Sequence, residues 1–254
     1  MEGMRKPYQG VLNVIRFNWP YYVLSVIFIL TASVIAFRLQ QEHRRVAFAF
    51  VLVVILVNII SLFVSWFIYD HSSLYRLSWL DRVQIERHGN IININAGFDE
   101  TSVLLKNKFP GADLTVLDFY DPAKHTEVSI KRARKAYPPY PNTKKTGTDR
   151  LPFPNDSVEN VFIIFSAHEI RDDEERVTFF KEISRVLTAK GQVIVTEHLR
   201  DAANFFAYNI GFLHFHSKKT WLKTFDRSGL QVAAEIKITP FITTFILNKN
   251  GTAS

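Results

Sequence analysis

The residues best suited to holding a ligand follow a short apolar run, Ile91–Asn95, which predicts a strand. The turn after this run contains Gly97, with Asn95 and Asp99 two residues before and after it. Asn and Asp tolerate a positive φ better than other non-glycine residues, so we expect the turn to keep the backbone path of a nucleotide-binding loop. Asp118 ends the next apolar run about twenty residues later, where a carboxylate can accept hydrogen bonds from ribose hydroxyls. These residues predict a site for an adenosine-containing ligand, although the turn alone also suits a plain strand–helix connection.

Two carboxylates, Asp99 and Glu100, stand where a helix is expected to begin. A dinucleotide would place its pyrophosphate at that helix N-terminus. The two carboxylates stabilise the helix dipole but repel phosphate. A cofactor that carries ammonium and sulfonium groups avoids this repulsion, so the residues favour S-adenosylmethionine over NAD. An NAD-dependent oxidoreductase is therefore only a third alternative.

The elements that must position these residues alternate between strand and helix patterns. The predicted strands are Ile91–Asn95, Leu114–Leu117, Asn160–Phe165 and Gln192–Thr196, and the predicted helices are Glu100–Phe109, Thr126–Tyr137, Glu174–Leu187 and Lys218–Ser228. This alternation predicts an α/β fold with a Rossmann-like, doubly wound and mainly parallel sheet, with the ligand at the carboxyl ends of the strands. Val232–Thr239 and Phe241–Leu247, split by Pro240, predict an antiparallel hairpin at one edge. A third strand is expected within Asn142–Thr148, where apolar residues are few.

Two long uncharged segments, residues 21–37 and 46–69, precede the sheet. They would span roughly 25 and 36 Å as helices, against a hydrocarbon core of about 30 Å. The sequence therefore predicts a transmembrane hairpin in residues 1–69 and a second domain in residues 70–254. A buried hairpin in a soluble protein and a cleaved signal peptide are the alternatives.

The charges flanking the two segments predict which way the hairpin faces. The connection, residues 38–45, contains three arginines. The outer flanks contain six basic residues, namely Arg5, Lys6, Arg16, Arg76, Arg82 and Arg87. This excess places both termini, and with them the second domain, on the cytoplasmic side.

The composition excludes several other kinds of site. The 254 residues are 47% apolar and carry a formal net charge of +7, and they include no cysteine. Disulfide frameworks, cysteine-ligated zinc and iron–sulfur clusters are therefore excluded.

Several motifs in the second part, about Tyr69–Lys249, carry a family resemblance. In chain order they are AGFDETS (96–102), Asp118, GTDRLPFPNDS (147–157), FSAHEI (165–170) and RVLTAKG (185–191). They resemble the motifs of the class I S-adenosylmethionine-dependent methyltransferases, in particular the group that includes ubiquinone/menaquinone and small-molecule methyltransferases. The resemblance implies cofactor contacts from Asn95, Ala96, Gly97, Asp99, Asp118, Phe119, Asp149, Arg150 and Ser166.

Three residues at later strand ends are the candidates for the acceptor side. The resemblance implies that His168 lies near the transferred methyl group, where a histidine can act as a general base. Glu197 and His198 follow the next predicted strand and could bind the acceptor or shift the pKa of a neighbour. A structural histidine with its ring hydrogen-bonded is the alternative for His168.

The segment Asp201–His216 is rich in aromatic residues. As a helix it would carry them all around its axis, so it is either a core helix or an apolar lid that receives a lipophilic acceptor from the bilayer. A metal site made of His198, His214 and His216 lacks tight ligand spacing, and we predict none.

A run of basic residues could indicate a protein that binds nucleic acid. It consists of Lys131, Arg132, Arg134, Lys135, Lys144, Lys145 and Arg150. Few aromatic residues accompany it and no RNA-binding motif is present, so attraction to anionic lipid headgroups or a merely solvated face explains it more simply.

The sequence thus predicts a membrane-anchored, S-adenosylmethionine-dependent methyltransferase that acts on a lipophilic small molecule. The alternative is a non-catalytic membrane-tethered scaffold of the same fold, because two of the expected glycines are replaced.

Overall fold

The computed structural model describes residues 5–83, 85 and 88–251. Its helices are α1 (Gln9–Phe17), α2 (Trp19–Arg38), α3 (Gln41–Trp66), α4 (Ser102–Lys108), α5 (Val128–Ala136), α6 (Asp173–Val186), α7 (Ala202–Tyr208) and α8 (Lys218–Arg227). Its strands are β1 (Gly89–Asn95), β2 (Ala112–Asp118), β3 (Lys144–Lys145), β4 (Val158–Ile164), β5 (Leu187–His198), β6 (Leu230–Thr239) and β7 (Ile242–Lys249). A π-helical turn, Phe67–His71, continues α3, and 3₁₀ turns span Ser78–Arg82, Ala167–Glu169 and Asn209–His214. Arg87, counted above among the flanking charges, lies outside the described residues.

The seven strands form one sheet in the order β3-β2-β1-β4-β5-β7-β6. The first five are parallel, and β7 pairs antiparallel with both β5 and β6. The predicted doubly wound sheet and its antiparallel edge hairpin are therefore confirmed. The chain reverses its direction of winding between β1 and β4, so the carboxyl ends of these two neighbours flank the expected ligand position.

The third strand is present but has only two residues. Lys144 and Lys145 pair with Leu117 and Asp118 at the sheet edge, and both lysines are exposed. An exposed two-residue edge strand buries no apolar side chain, which explains its weak sequence signal.

Strand β5 begins earlier than the sequence indicates. The predicted turn at Lys190 and Gly191 lies inside β5, where the register with β4 shifts between the pairs Val158–Leu187 and Asn160–Gln192. A Cβ on Gly191 would lie 2.8 Å from the Leu187 side chain and 2.9 Å from a backbone oxygen. The glycine therefore permits a bulge with close backbone packing instead of a chain reversal.

The sheet is buried on both faces. In β4, Val161 and Ile163 belong to one apolar cluster with Phe180 and Trp221, whereas Phe162 belongs to another with Leu105. Successive strand residues point to opposite faces, so a continuous apolar run fits a sheet covered on both sides.

Helices α2 and α3 form the hairpin that the sequence predicts, with slightly extended ends. Both are long and apolar enough to cross a membrane, as Trp19–Arg38 and Gln41–His71, and only 6% of each apolar window is buried. Asn58 Nδ2 donates to Ser25 Oγ at 2.8 Å and links the two helices. The large apolar side chains of the pair are mostly exposed, so these are not core helices of the domain.

Helix α1 has no counterpart among the predicted elements. The backbone N–H groups of Gly10 and Val11 donate to the carboxylate of Asp70 at 2.7 and 2.9 Å. Asp70 is remote in sequence from α1, so the sequence around residue 9 contains no capping residue that would predict the start of this helix. The α1 residues Asn13 and Phe17 are buried.

Candidate active site

The loop after β1 is held by its own side chains. Asn95 Oδ1 accepts from the Gly97 N–H at 2.8 Å, and Asp99 Oδ1 accepts from the N–H groups of Thr101 and Ser102, each at 2.9 Å. Within this loop only Gly97 has a positive φ, of 88°. Asn95 and Asp99 do not use their tolerance of a positive φ, because they shape the turn through side-chain hydrogen bonds instead.

Two polar atoms of this loop are buried without a hydrogen-bond partner. They are Asn95 Nδ2, which is a donor, and Asp99 Oδ2, which is an acceptor. Buried polar atoms are usually paired, and an unpaired donor and an unpaired acceptor within one loop suit a zwitterionic ligand. The amino-acid end of S-adenosylmethionine, with a carboxylate and an ammonium group, fits this pair.

Asp118 ends β2 beside the loop, as predicted, and is buried. Its Oδ1 accepts from the Tyr120 N–H at 2.9 Å. Its Oδ2 accepts from Arg134 Nη1 at 2.9 Å and from Lys145 Nζ. The carboxylate therefore stands where a ribose-binding residue belongs, but two cations hold it.

Arg134 occupies the space between the loop and Asp118. A Cβ on Gly97 would lie only 1.7 Å from Arg134 Nη1. The guanidinium also stacks on Tyr120, 4.2 Å from the ring centroid. Its side chain is 29% exposed, so the space beside Gly97 and Asp118 is closed by a partly solvent-accessible group. Part of the basic run thus faces the site and not the solvent.

The other predicted cofactor residues are more scattered. Ala96 and Phe119 are buried beside the loop, and Ser166 Oγ donates to the Ile94 carbonyl at 2.8 Å. Asp149 and Arg150 are exposed on the loop that follows β3. The structure therefore brings the loop after β1 together with the end of β2 and leaves the loop after β3 open.

His168 follows β4 and meets Glu197 at the end of β5. His168 Nδ1 lies 2.7 Å from Glu197 Oε2, and Glu197 is fully buried. Burial alone would lower the pKa of His168, but the carboxylates of Glu197 and Glu169 outweigh burial and raise it to about 9. At neutral pH the ring holds its proton, so in this arrangement the predicted general-base role would require a pH near 9.

His198 lies in an aromatic enclosure next to Glu197. Its Nε2 lies 2.7 Å from the Tyr69 hydroxyl and its Nδ1 lies 3.0 Å from Asn204 Oδ1. Its ring stacks on Phe165 and Phe215. Burial lowers its pKa to about 3. Both ring nitrogens are engaged within the protein, and the residue joins the end of α3 to the sheet.

Glu169 and His214 lie close to His168, and Glu127 lies 3.3 Å from His214 Nδ1. Sequence reasoning selected neither glutamate and considered His214 only as part of a metal trio. His214 is distant in sequence from His168 and lies on a 3₁₀ turn, so the spacing of residues along the chain does not predict that the two are neighbours. The metal trio considered from the sequence, His198, His214 and His216, does not form, because His216 Nε2 lies 3.2 Å from Arg176 Nη1 instead.

The aromatic segment after β5 is not a single buried core helix, because Phe205 and Phe206 are exposed. It divides into α7 and the 3₁₀ turn Asn209–His214. The exposed apolar residues are Phe205 (42%), Phe206 (72%), Ile210 (83%) and Leu213 (52%), hereafter the apolar strip. Its buried residue Ala207 packs in one cluster with Val64 and Ile68 at the end of α3. The apolar strip therefore lies beside the membrane-type hairpin.

Comparisons with known proteins agree with this geometry. Residues 94–195 match the family described as "Methyltransferase domain". No curated protein matches the chain significantly.

Solved structures share the fold. A protein from Pyrococcus horikoshii superimposes with a TM-score of 0.51 at 16% identity, covering 70% of this chain and 92% of its own. A SAM-dependent methyltransferase from Aquifex aeolicus gives 0.50 at 13%, covering 68% and 88%. A chain from the complex between the Haloferax volcanii Trm112 methyltransferase activator and a methyltransferase gives 0.50 at 16%, covering 71% and 91%.

The α/β part of this chain thus has the fold of S-adenosylmethionine-dependent methyltransferases, and residues 94–195 of it match the methyltransferase domain family.

Proposed function

We propose that the protein is a membrane-anchored methyltransferase that transfers a methyl group from S-adenosylmethionine to a lipophilic small molecule. The observation that carries this proposal is the position of the apolar strip. The segment that carries the strip contacts the end of α3 through Ala207 and reaches His168 through His214, whose ring centroid lies 5.0 Å from that of His168. A lipophilic acceptor leaving the bilayer would meet an apolar surface before it reached the polar site.

Residues 1–69 are the proposed anchor and residues 70–254 the catalytic domain. The exposed apolar surface of α2 and α3 supports the anchor, because water is a poor solvent for a helix that is apolar all round. The excess of basic residues on the outer flanks places the catalytic domain in the cytoplasm. Lys131 and Lys135 are exposed on α5 and would face anionic headgroups.

In the proposed cofactor site, each residue of the loop has a separate role. Asn95 and Asp99 hold the amino-acid end through their unpaired atoms, and Asp118 holds the ribose once Arg134 has moved. When bound, S-adenosylmethionine supplies a methyl group activated by its sulfonium. Asp149 and Arg150 are assigned to the adenine side on the resemblance alone.

The acceptor side consists of His168, Glu197 and His198. Glu197 fixes the His168 ring through Nδ1, which leaves Nε2 free for other partners. His198 acts at a distance by holding Tyr69, Asn204 and two aromatic rings in place. The protein mainly aligns the acceptor with the methyl group, since methyl transfer is an in-line displacement.

A direct test uses the full chain in lipid vesicles with isotopically labelled methyl donor and lipid extracts. Transfer of label into the organic phase supports the proposal, and Asp118→Ala should abolish it. Asp113→Asn, on the exposed part of β2, serves as a control that leaves transfer unchanged. Label that stays in the aqueous phase with every extract would contradict a lipophilic acceptor.

The second candidate is a non-catalytic membrane scaffold. It is favoured by one observation, the occupation of the adenosine space by Arg134. Titration calorimetry separates the two candidates, because the scaffold binds no S-adenosylmethionine.

A further inference from the structure

We infer that His168, Glu169 and His214 form a binding site for one divalent transition-metal ion of the zinc class. The three side chains come from two separate 3₁₀ turns, one after β4 and one after α7. One ligand atom from each lies within 4.8 Å of the other two.

Both histidines turn the same ring nitrogen toward one carboxylate oxygen. His168 Nε2 lies 3.6 Å and His214 Nε2 lies 4.0 Å from Glu169 Oε1. These separations exceed hydrogen-bonding distance, so the two nitrogens converge on the oxygen without bonding to it. In a tetrahedral zinc site, bonds of about 2.0–2.1 Å place neighbouring ligand atoms about 3.3 Å apart. These two distances therefore need to shorten by less than 1 Å, and the remaining pair of ligand atoms lies within 4.8 Å.

The opposite nitrogen of each ring already has a carboxylate. Glu197 Oε2 lies 2.7 Å from His168 Nδ1, and Glu127 Oε1 lies 3.3 Å from His214 Nδ1. Metal-bound histidines commonly donate their other N–H to a carboxylate, which fixes the tautomer that leaves Nε2 for the metal. A histidine with a purely structural role needs only one hydrogen-bonded partner. Here two histidine–carboxylate pairs surround the shared carboxylate of Glu169.

The charges also suit a divalent cation. Glu169, Glu197 and Glu127 supply three negative charges. Arg171 is the positive group beside them, and it donates to the backbone carbonyls of His168 and His214 rather than to a carboxylate. Two imidazoles with one carboxylate and no thiolate select Zn²⁺ and its first-row neighbours over Ca²⁺ or Mg²⁺.

Three protein ligands leave one coordination position open to water or to an oxygen of a small molecule. The site stands on the acceptor side, beside Leu213 of the apolar strip. Metal binding itself does not depend on the proposed transfer reaction, so the two are tested separately.

The test uses the full chain in detergent, stripped with a chelator and titrated calorimetrically with Zn²⁺. In parallel, Co²⁺ is added and its visible absorption recorded. We expect one equivalent of metal per chain and the Co²⁺ bands of a four- or five-coordinate site. His214→Asn and Glu169→Gln should each weaken Zn²⁺ binding by at least 100-fold. Glu127→Gln should weaken it by about 10- to 100-fold through loss of the outer carboxylate.

The matched control is His43→Asn, because His43 is exposed in the first turn of α3. It should leave affinity and stoichiometry unchanged. Each variant is first compared with the wild type by thermal unfolding without metal. If a substitution at a buried ligand prevents folding, Glu127→Gln still tests the site, because Glu127 is exposed. Absence of stoichiometric binding, or binding that survives both His214→Asn and Glu169→Gln, would overturn the site. Titration with S-adenosylmethionine is a separate arm, so a failed metal site and a failed methyltransferase are told apart.

Discussion

The guanidinium of Arg134 is bonded to the carboxylate of Asp118 at 2.9 Å, across the loop that contains Gly97. A residue expected to bind ribose is thus held by a cation from the neighbouring helix α5. We therefore expect Arg134 to compete with S-adenosylmethionine at the proposed cofactor site.

Replacing Arg134 should strengthen cofactor binding. The ion pair is partly exposed, so breaking it costs about 1 kcal/mol, and Arg134→Ala should lower the Kd for S-adenosylmethionine about fivefold. Calorimetry on the full chain measures the change, with Lys131→Ala on the exposed face of α5 as the control. Weaker binding by Arg134→Ala would show that Arg134 contacts the cofactor instead of competing with it.

Glu100 should hold the N-terminal segment on the domain. Its Oε1 accepts from Arg5 Nη1 and its Oε2 accepts from the Tyr75 hydroxyl, both at 2.6 Å. Losing these charge-assisted bonds in Glu100→Gln should ease local opening by about 2 kcal/mol and speed amide exchange in α1 about 30-fold. Hydrogen-exchange mass spectrometry checks this.

Asp113→Asn is the matched control for Glu100→Gln, since Asp113 is an exposed carboxylate on β2. Unchanged exchange of α1 in Glu100→Gln would mean that the cap from Asp70 suffices to dock the helix.

His198 should make stability fall in mild acid. Burial lowers its pKa to about 3, so between pH 6.5 and 3 the unfolded chain binds a proton that the folded chain does not. The contribution of His198 to stability is complete above pH 6.5, and this residue alone should cost about 2 kcal/mol in the free energy of unfolding on going from pH 8 to pH 5.

The measurement is unfolding of the full chain in detergent at several pH values, followed by tryptophan fluorescence. His198→Phe should lose this part of the pH dependence, whatever its stability at pH 8, whereas His43→Phe should retain it. An unchanged slope in His198→Phe would show that other groups cause the acid sensitivity.

The apolar strip should matter for the acceptor and not for the cofactor. Phe206→Ser combined with Ile210→Ser removes two exposed apolar side chains, and kcat/KM for a vesicle-borne acceptor should fall about tenfold or more. The Kd for S-adenosylmethionine should stay constant. Leu222→Ser, at an exposed position on α8, should affect neither quantity.

The regular spacing of apolar residues along the chain predicted most of the strands and helices. Strands β1, β2 and β4 and helices α4, α6 and α8 agree with the expected segments to within a few residues, because each shows a regular apolar pattern. Strand β3 and helix α1 were weak or absent in the sequence, since a two-residue edge strand and a helix capped by a distant Asp70 leave no local pattern.

The candidate site divides in the same way. Gly97 and Asp118 could be selected from the sequence because a turn glycine and a strand-end carboxylate are local features. The pairing of His168 with Glu197 followed only from the order of neighbouring strands, and the position of His214 could not be foreseen.

The amino-acid sequence by itself determined the two membrane-length apolar helices, the alternation of strands and helices, and the turn of the proposed cofactor site. Each depends on residues adjacent along the chain. Only the tertiary structure decided that Arg134 fills the space beside Gly97 and that His168, Glu169 and His214 converge. Those arrangements require segments remote in sequence to pack against one another, and their geometry depends on the whole fold.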